Sequence, residues 1–119
     1  MTVLTQGIQQ GEWLLSEGEG QISREQFTVT VAGAIALPSG TVLGKVTATG
    51  KLVKYLDGSA DGSQAAVGVL WNPLAGVNGD YKAAVFVRST EVAGAMLNGG
   101  AGLDANGIAD LKALGVIVR

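Results

Sequence analysis

Residues 65–71, AAVGVLW, form an unbroken apolar run closed by Asn72-Pro73 and preceded by a Gly/Ser loop. A run this short with turn residues at both ends is too brief for a buried helix and fits a strand covered on both faces. It demands a sheet with apolar layers on either side, so the chain must supply other strands to build them. Phe27, Val29 and Val31 alternate with Thr28 and Thr30, the period of a half-buried strand. Pro38-Ser39-Gly40 reads as a turn. Thr41–Thr47 follows as a β-rich stretch with Val42 and Val46 inward, then a turn at Thr49-Gly50 and a strand over Lys51–Leu56. Asn78-Gly79-Asp80 is a turn signal before a strand from Tyr81 to Arg88.

The C-terminal part changes period. Asn98–Gly102 reads as a loop, and a short helix starts near Asp104 or Asn106 with Ile108, Leu111 and Leu114 as its apolar stripe. Gly115 is placed to end it in the left-handed region, with Val116 packing back on Leu111. Residues 116–119 form a short strand or extended tail. The 19 glycines show no fixed period and mark turns, not a solenoid repeat. The expected fold is mainly β: one small domain over residues 27–119 with a single C-terminal helix. An extended, polar, glycine-rich arm occupies residues 1–26, interrupted by the apolar island Trp13-Leu14-Leu15. An aromatic has no reason to sit in a solvated tail, so Trp13 is expected to anchor the arm on a partner.

Composition narrows the function. The chain has no histidine and no cysteine, which removes zinc sites, Ser-His and Cys-His nucleophiles, and disulfides. Its net charge is −2 and Lys45, Lys51 and Lys54 are the densest basic group, so no phosphate-binding face is expected and nucleic acid is an improbable partner. There is no signal-peptide pattern and no apolar run long enough to span a bilayer, so a chain that is soluble and not in contact with membrane is expected. With 47% apolar and only 15% charged residues, part of the surface is expected to be covered by a partner.

Three candidate sites fail on chemistry. Asp57 and Asp61 in DGSADG begin a calcium-loop pattern, with Ser59 third, Asp61 fifth and Gly62 sixth, but Gly68 stands where the closing bidentate glutamate is needed. As a general acid/base pair they lack any surroundings that would split their pKa values. An Asx-type turn between strands is the preferred reading. Gly44–Lys51 misses the phosphate-binding-loop spacing by one residue, and Leu52 follows the lysine where Ser or Thr is required. Tyr55 and Trp71 are too few to make a stacking platform and read as core or interface aromatics. Neither a cofactor nor a metal is expected, and enzymatic activity is not.

The order and spacing of several segments resemble the head decoration protein family of tailed phages, the phage lambda protein D type. They are PSGTVLG at Pro38–Gly44, GKLV at Gly50–Val53, DGSADG at Asp57–Gly62 and AAVGVL at Ala65–Leu70. AAVFVRSTEVAG at Ala83–Gly94, IADLKALGVIVR at Ile108–Arg119 and LLSEGEGQISREQFTV at Leu14–Val29 extend the likeness over most of the chain. The resemblance implies a structural, non-enzymatic virion protein of β-clip type, assembled in the host cytoplasm. It implies a homotrimer bound to the major capsid protein on the outside of the expanded head, at three-fold and quasi-three-fold positions. There it would cement the shell against the pressure of packaged DNA. The arm residues Thr2, Val3, Leu4, Trp13, Leu14 and Leu15 would contact the capsid, and Trp71, Leu111, Val116 and Ile117 would serve trimer or capsid contacts. On this reading removal of residues 1–20 would spare the fold. The alternative is a small virion-displayed β module that binds carbohydrate or protein without cementing.

Overall fold

The computed structural model describes residues 13–18 and 23–119. Among the described residues eight strands run in chain order: β1 (Leu14–Glu17), β2 (Arg24–Val31), β3 (Val42–Lys45), β4 (Leu52–Lys54), β5 (Ala66–Leu70), β6 (Gly79–Phe86), β7 (Thr90–Val92) and β8 (Val116–Val118). A 3₁₀ segment, Gly94–Gly100, and one helix, α1 (Ala105–Leu114), lie between β7 and β8. Strands β2-β4-β3-β5-β6 close into a barrel, and β1-β7-β8 form a separate three-stranded sheet. The chain is therefore mainly β with one short C-terminal α-helix, as its patterning implies.

The double-faced burial required by residues 65–71 is met by two cores. Val29, Val31, Leu37, Leu43, Leu52, Leu70, Ala83 and Val85 fill the barrel. Trp13, Val42, Tyr55, Ala66, Val69, Phe86, Val92, Leu97, Leu111 and Val116 fill a second core. Successive side chains on a strand point to opposite faces. Val42 and Leu43, Val69 and Leu70, and Phe86 and Val85 each divide between the two cores, so β3, β5 and β6 act as the wall they share.

Closure of the barrel is uneven. β2 and β6 are joined antiparallel over every residue from Arg24↔Phe86 to Val31↔Gly79. β2 and β4 run parallel and meet at one pair, Val29↔Leu52. Where β3 meets β5 the register shifts between Leu43 and Gly44, a local bulge that bends the strand.

Several boundaries differ from the sequence expectation. β2 begins at Arg24, not Phe27, because the backbone ladder to β6 extends over Arg24-Glu25-Gln26 while those side chains lie partly or fully in solvent and show no apolar alternation. Leu14–Glu17, read as part of the arm, is a strand antiparallel to β7. Four residues are too few to display a period. Val46 is only half-buried, since it lies beyond β3 at the turn into β4, where its N–H donates to the Lys51 carbonyl.

Helix α1 follows its capping signals closely. Asp104 is the N-cap, its side chain accepting from Gly107 N at 2.8 Å. Gly115 ends the helix at φ 91°, with its N–H bonded back to the last turn. The inward face differs from the expected stripe. Gly107 and Leu111, four residues apart, point inward, whereas Ile108 and Leu114 are exposed. Leu103 crosses the helix so closely that a Cβ on residue 107 would lie 2.7 Å from its Cδ1.

Candidate functional site

For a chain with no catalytic signature the functional question is which surfaces meet other chains. The residues singled out in the sequence are distributed unequally between core and surface. Thr2, Val3 and Leu4 lie outside the described residues. Trp13 is completely buried, and it roots β1 in its own domain. Its ring stands edge-on to Phe86 at 5.4 Å and to Trp71 at 6.0 Å, and its Nε1–H donates to Ser39 Oγ at 3.0 Å. The expectation of a partner anchored by Trp13 is corrected accordingly: the apolar ring found its cover within the chain, and its one polar atom is satisfied there. Leu14 packs against the same core, and Leu15 on the opposite face of β1 is 52% exposed.

Leu111 and Val116 are fully buried and present nothing to another chain. Ile117 and Trp71 are half-buried. The outer side of Trp71 is covered by Arg24, whose guanidinium carbon sits 4.5 Å from the Trp71 ring and 4.8 Å from the Phe86 ring. The same guanidinium forks onto Glu17, Nε to Oε2 at 3.0 Å and Nη2 to Oε1 at 2.8 Å. Its hydrogen bond to Glu17 holds the Arg24 pKa above the usual arginine value. Arg24 thus ties β1 to the barrel through a planar fork and a cation–π contact at once.

The DGSADG loop joins β4 to β5, and its two aspartates serve different partners. Asp61 Oδ1 accepts from Ser63 N at 3.0 Å and from Ser63 Oγ at 2.5 Å, an Asx turn. These bonds, the side-chain one foremost, hold its carboxyl below the ordinary value. Asp57 instead accepts from Asn106 Nδ2, at 3.2 Å to each oxygen, and so reaches α1. Two further links fasten the helix at the same place. Tyr55 Oη donates to Asp104 Oδ1 at 2.9 Å, and Ala66 N donates to Asp110 Oδ2 at 3.1 Å. Burial first, then the bond to Asp104, raises the Tyr55 pKa well above the tyrosine norm. The Gly44–Lys51 stretch is β3, a turn and the approach to β4. Asp57, Asp104 and Asp110 hold loop and helix together, and Asp61 braces its own loop.

Sequence reasoning missed the exposed apolar side chains at one end of the barrel, Ile35, Leu56 and Val77. For Ile35 and Val77 a usable signal was present, since residues 26–44 and 62–79 contain no charged side chain; Leu56 lies outside both, between Lys54 and Asp57. No helix among the described residues is long and apolar enough to cross a membrane.

The model of the bacteriophage lambda head decoration protein D family matches residues 3–116 of this chain, nearly its whole length. The chain belongs to that family. No individual curated protein matches it significantly. As a member of the head decoration protein family the chain is a structural component of a phage head, and the family resemblance of its segments is confirmed.

Proposed function

We propose that this head decoration protein cements the capsid. It binds as a trimer to the outside of the expanded head, at three-fold and quasi-three-fold positions, and stabilises the shell of major capsid protein against internal DNA pressure. It performs no catalysis. The observation that carries this reading is the family match over residues 3–116. The net charge of −2 suits a protein on the outer side of a shell, away from the packaged DNA.

In this mechanism residues 1–12 are the capsid-contacting arm, with Thr2 and the apolar Val3 and Leu4 as its contacting end. Strand β1 is the fixed root from which the arm leaves. Leu15, exposed beside that root, extends the same contact, and the partly exposed Trp71 and Ile117 serve at its margin. Identical arms on one trimer act together, so a modest affinity per arm suffices.

The test is co-sedimentation with mature heads that lack the protein, followed by heating and measurement of DNA release. The full chain is expected to bind and to raise the release temperature. The chain lacking residues 1–12 is expected to fold and to fail to bind. Unchanged binding by the truncated chain would overturn the arm mechanism, and binding without thermal protection would overturn cementing.

A further inference from the structure

Ile35, Leu56 and Val77 are the most exposed large hydrophobic side chains among the described residues, at 58%, 57% and 62%. They gather at one end of the barrel. The β2–β3 and β5–β6 connections pair with each other through Leu37 and Leu74, which exchange N–H···O bonds of 2.9 and 2.8 Å. Ala34 N donates to Asn78 Oδ1 at 2.7 Å, which sets Ile35 and Val77 on neighbouring loops. Beside them β2 and β4 diverge from their one shared pair and leave a cleft of about 240 Å³. Ile35, Leu37, Val53 and Leu56 are among its walls; Val77 stands outside it.

This end of the molecule joins the two stretches that carry no charge, residues 26–44 and 62–79, to residues 53–61, which bring Val53, Lys54, Leu56 and Asp61 to the cleft. The charges at the cleft are one of each sign, Lys54 and Asp61. With its charges balanced, such a face offers no complement to a strongly acidic or basic partner, but its apolar side chains complement another apolar face. Interface cores are depleted of charge in this way. A projection and a hollow at different positions on one chain also suit head-to-tail contact, which closes into a ring when the rotation permits.

We propose that this apolar end is the copy-to-copy face of the trimer, with Val77 of one copy seated in the Ile35–Leu56 cleft of the next. The inference rests on the trimeric reading above and specifies its contact.

The chain contains no cysteine, so introduced thiols report without background. The double variant Val77→Cys with Leu56→Cys, treated with a short bis-maleimide in concentrated solution and on decorated heads, is expected to give covalent dimers and trimers. A control pair, Leu15→Cys with Leu114→Cys, is expected to stay monomeric. Adding Ile35→Lys to the first pair is expected to cut the cross-linked yield at least tenfold while leaving circular dichroism unchanged. Linkage confined within single chains, or a ladder from the control pair only, would overturn the assigned face while leaving the trimer intact. No ladder from either pair, with monomers by sedimentation and no three-fold density on decorated heads, would overturn the trimer itself and this face with it.

Discussion

The indole of Trp13 lies directly against Gly40: a Cβ at residue 40 would sit 2.7 Å from Trp13 Cδ1. Gly40 also holds φ at 91°, where side-chain-bearing residues are strained. The turn at residues 38–40 is therefore a bed for the aromatic ring as well as a change of direction. Gly40→Ala is expected to destabilise the fold by about 2–4 kcal/mol, from overpacking and backbone strain together. Urea unfolding followed by tryptophan fluorescence measures this directly, and an unchanged midpoint would show that the ring can move aside.

Truncation separates arm from body. Loss of residues 1–12 leaves every described contact in place and is expected to keep the unfolding midpoint within experimental error. Loss of residues 1–17 removes Trp13 and β1. Deleting one buried tryptophan side chain alone costs about 3–5 kcal/mol, a large share of the roughly 5–15 kcal/mol that holds a small domain together. The shorter chain is expected to be largely unfolded by circular dichroism. The earlier expectation that removing residues 1–20 spares the fold is corrected for the same reason.

Arg24 joins a carboxylate fork to two aromatic faces, and lysine reproduces neither geometry. Arg24→Lys is expected to lower stability by about 1 kcal/mol, a modest loss because the guanidinium remains partly in water. Hydrogen exchange at the β1–β7 amides is expected to quicken more than at the β2–β6 amides, since the side chain bridges β1 to the barrel. Equal acceleration in both ladders would argue against a local tie.

Two limits of pH stability follow from named groups. Tyr55 has its pKa raised in the folded state by burial and by Asp104, so its contribution is complete below about pH 10, the unfolded value. It is lost as pH rises beyond that point toward the folded value. Tyr55→Phe is expected to cost about 1 kcal/mol at neutral pH and to flatten the alkaline fall in the urea midpoint. A fall as steep as that of the parent chain would assign the alkaline limit to other groups.

On the acid side Asp80 is held below the ordinary carboxylate value of 3.8 chiefly by its bond from Lys51 Nζ at 2.6 Å, with Thr30 assisting. A depressed pKa gives stability that is present above the unfolded value and is lost as pH falls through the folded one. The Lys51–Asp80 link is thus expected to fail below about pH 4, and Asp80→Asn to shallow that acid slope in urea titrations at successive pH values. The effect is small, because both side chains are well exposed.

The barrel strands were legible where side-chain pattern and burial coincide. Phe27–Val31 alternates because one face of β2 lines the barrel, and residues 65–71 are uniformly apolar because β5 separates two cores. The Asp104 and Gly115 caps and the Asx turn at Asp61 were legible because each depends on a side chain or φ value near in sequence. The illegible parts depend on distant partners. β7 has three residues and is defined by β1 and β8 on either side. Trp13 looked like an anchor for another chain because its bed, Ser39 and Gly40, lies 26 and 27 positions further on. The exposure of Ile35 and Val77 arises when two connections pair, a relation that no local period encodes.

The unequal closure of the barrel has a mechanical consequence. In the proposed cementing role a shell under outward pressure would pull this domain sideways, and a barrel divides such a pull among its ladders. Traction parting β2 from β6 is shared by a ladder running the full length of both strands. Traction parting β2 from β4 falls on the single rung Val29–Leu52. The domain is a strap with a strong direction and a weak one, and the way it is seated on a lattice decides whether it holds or opens like a clasp.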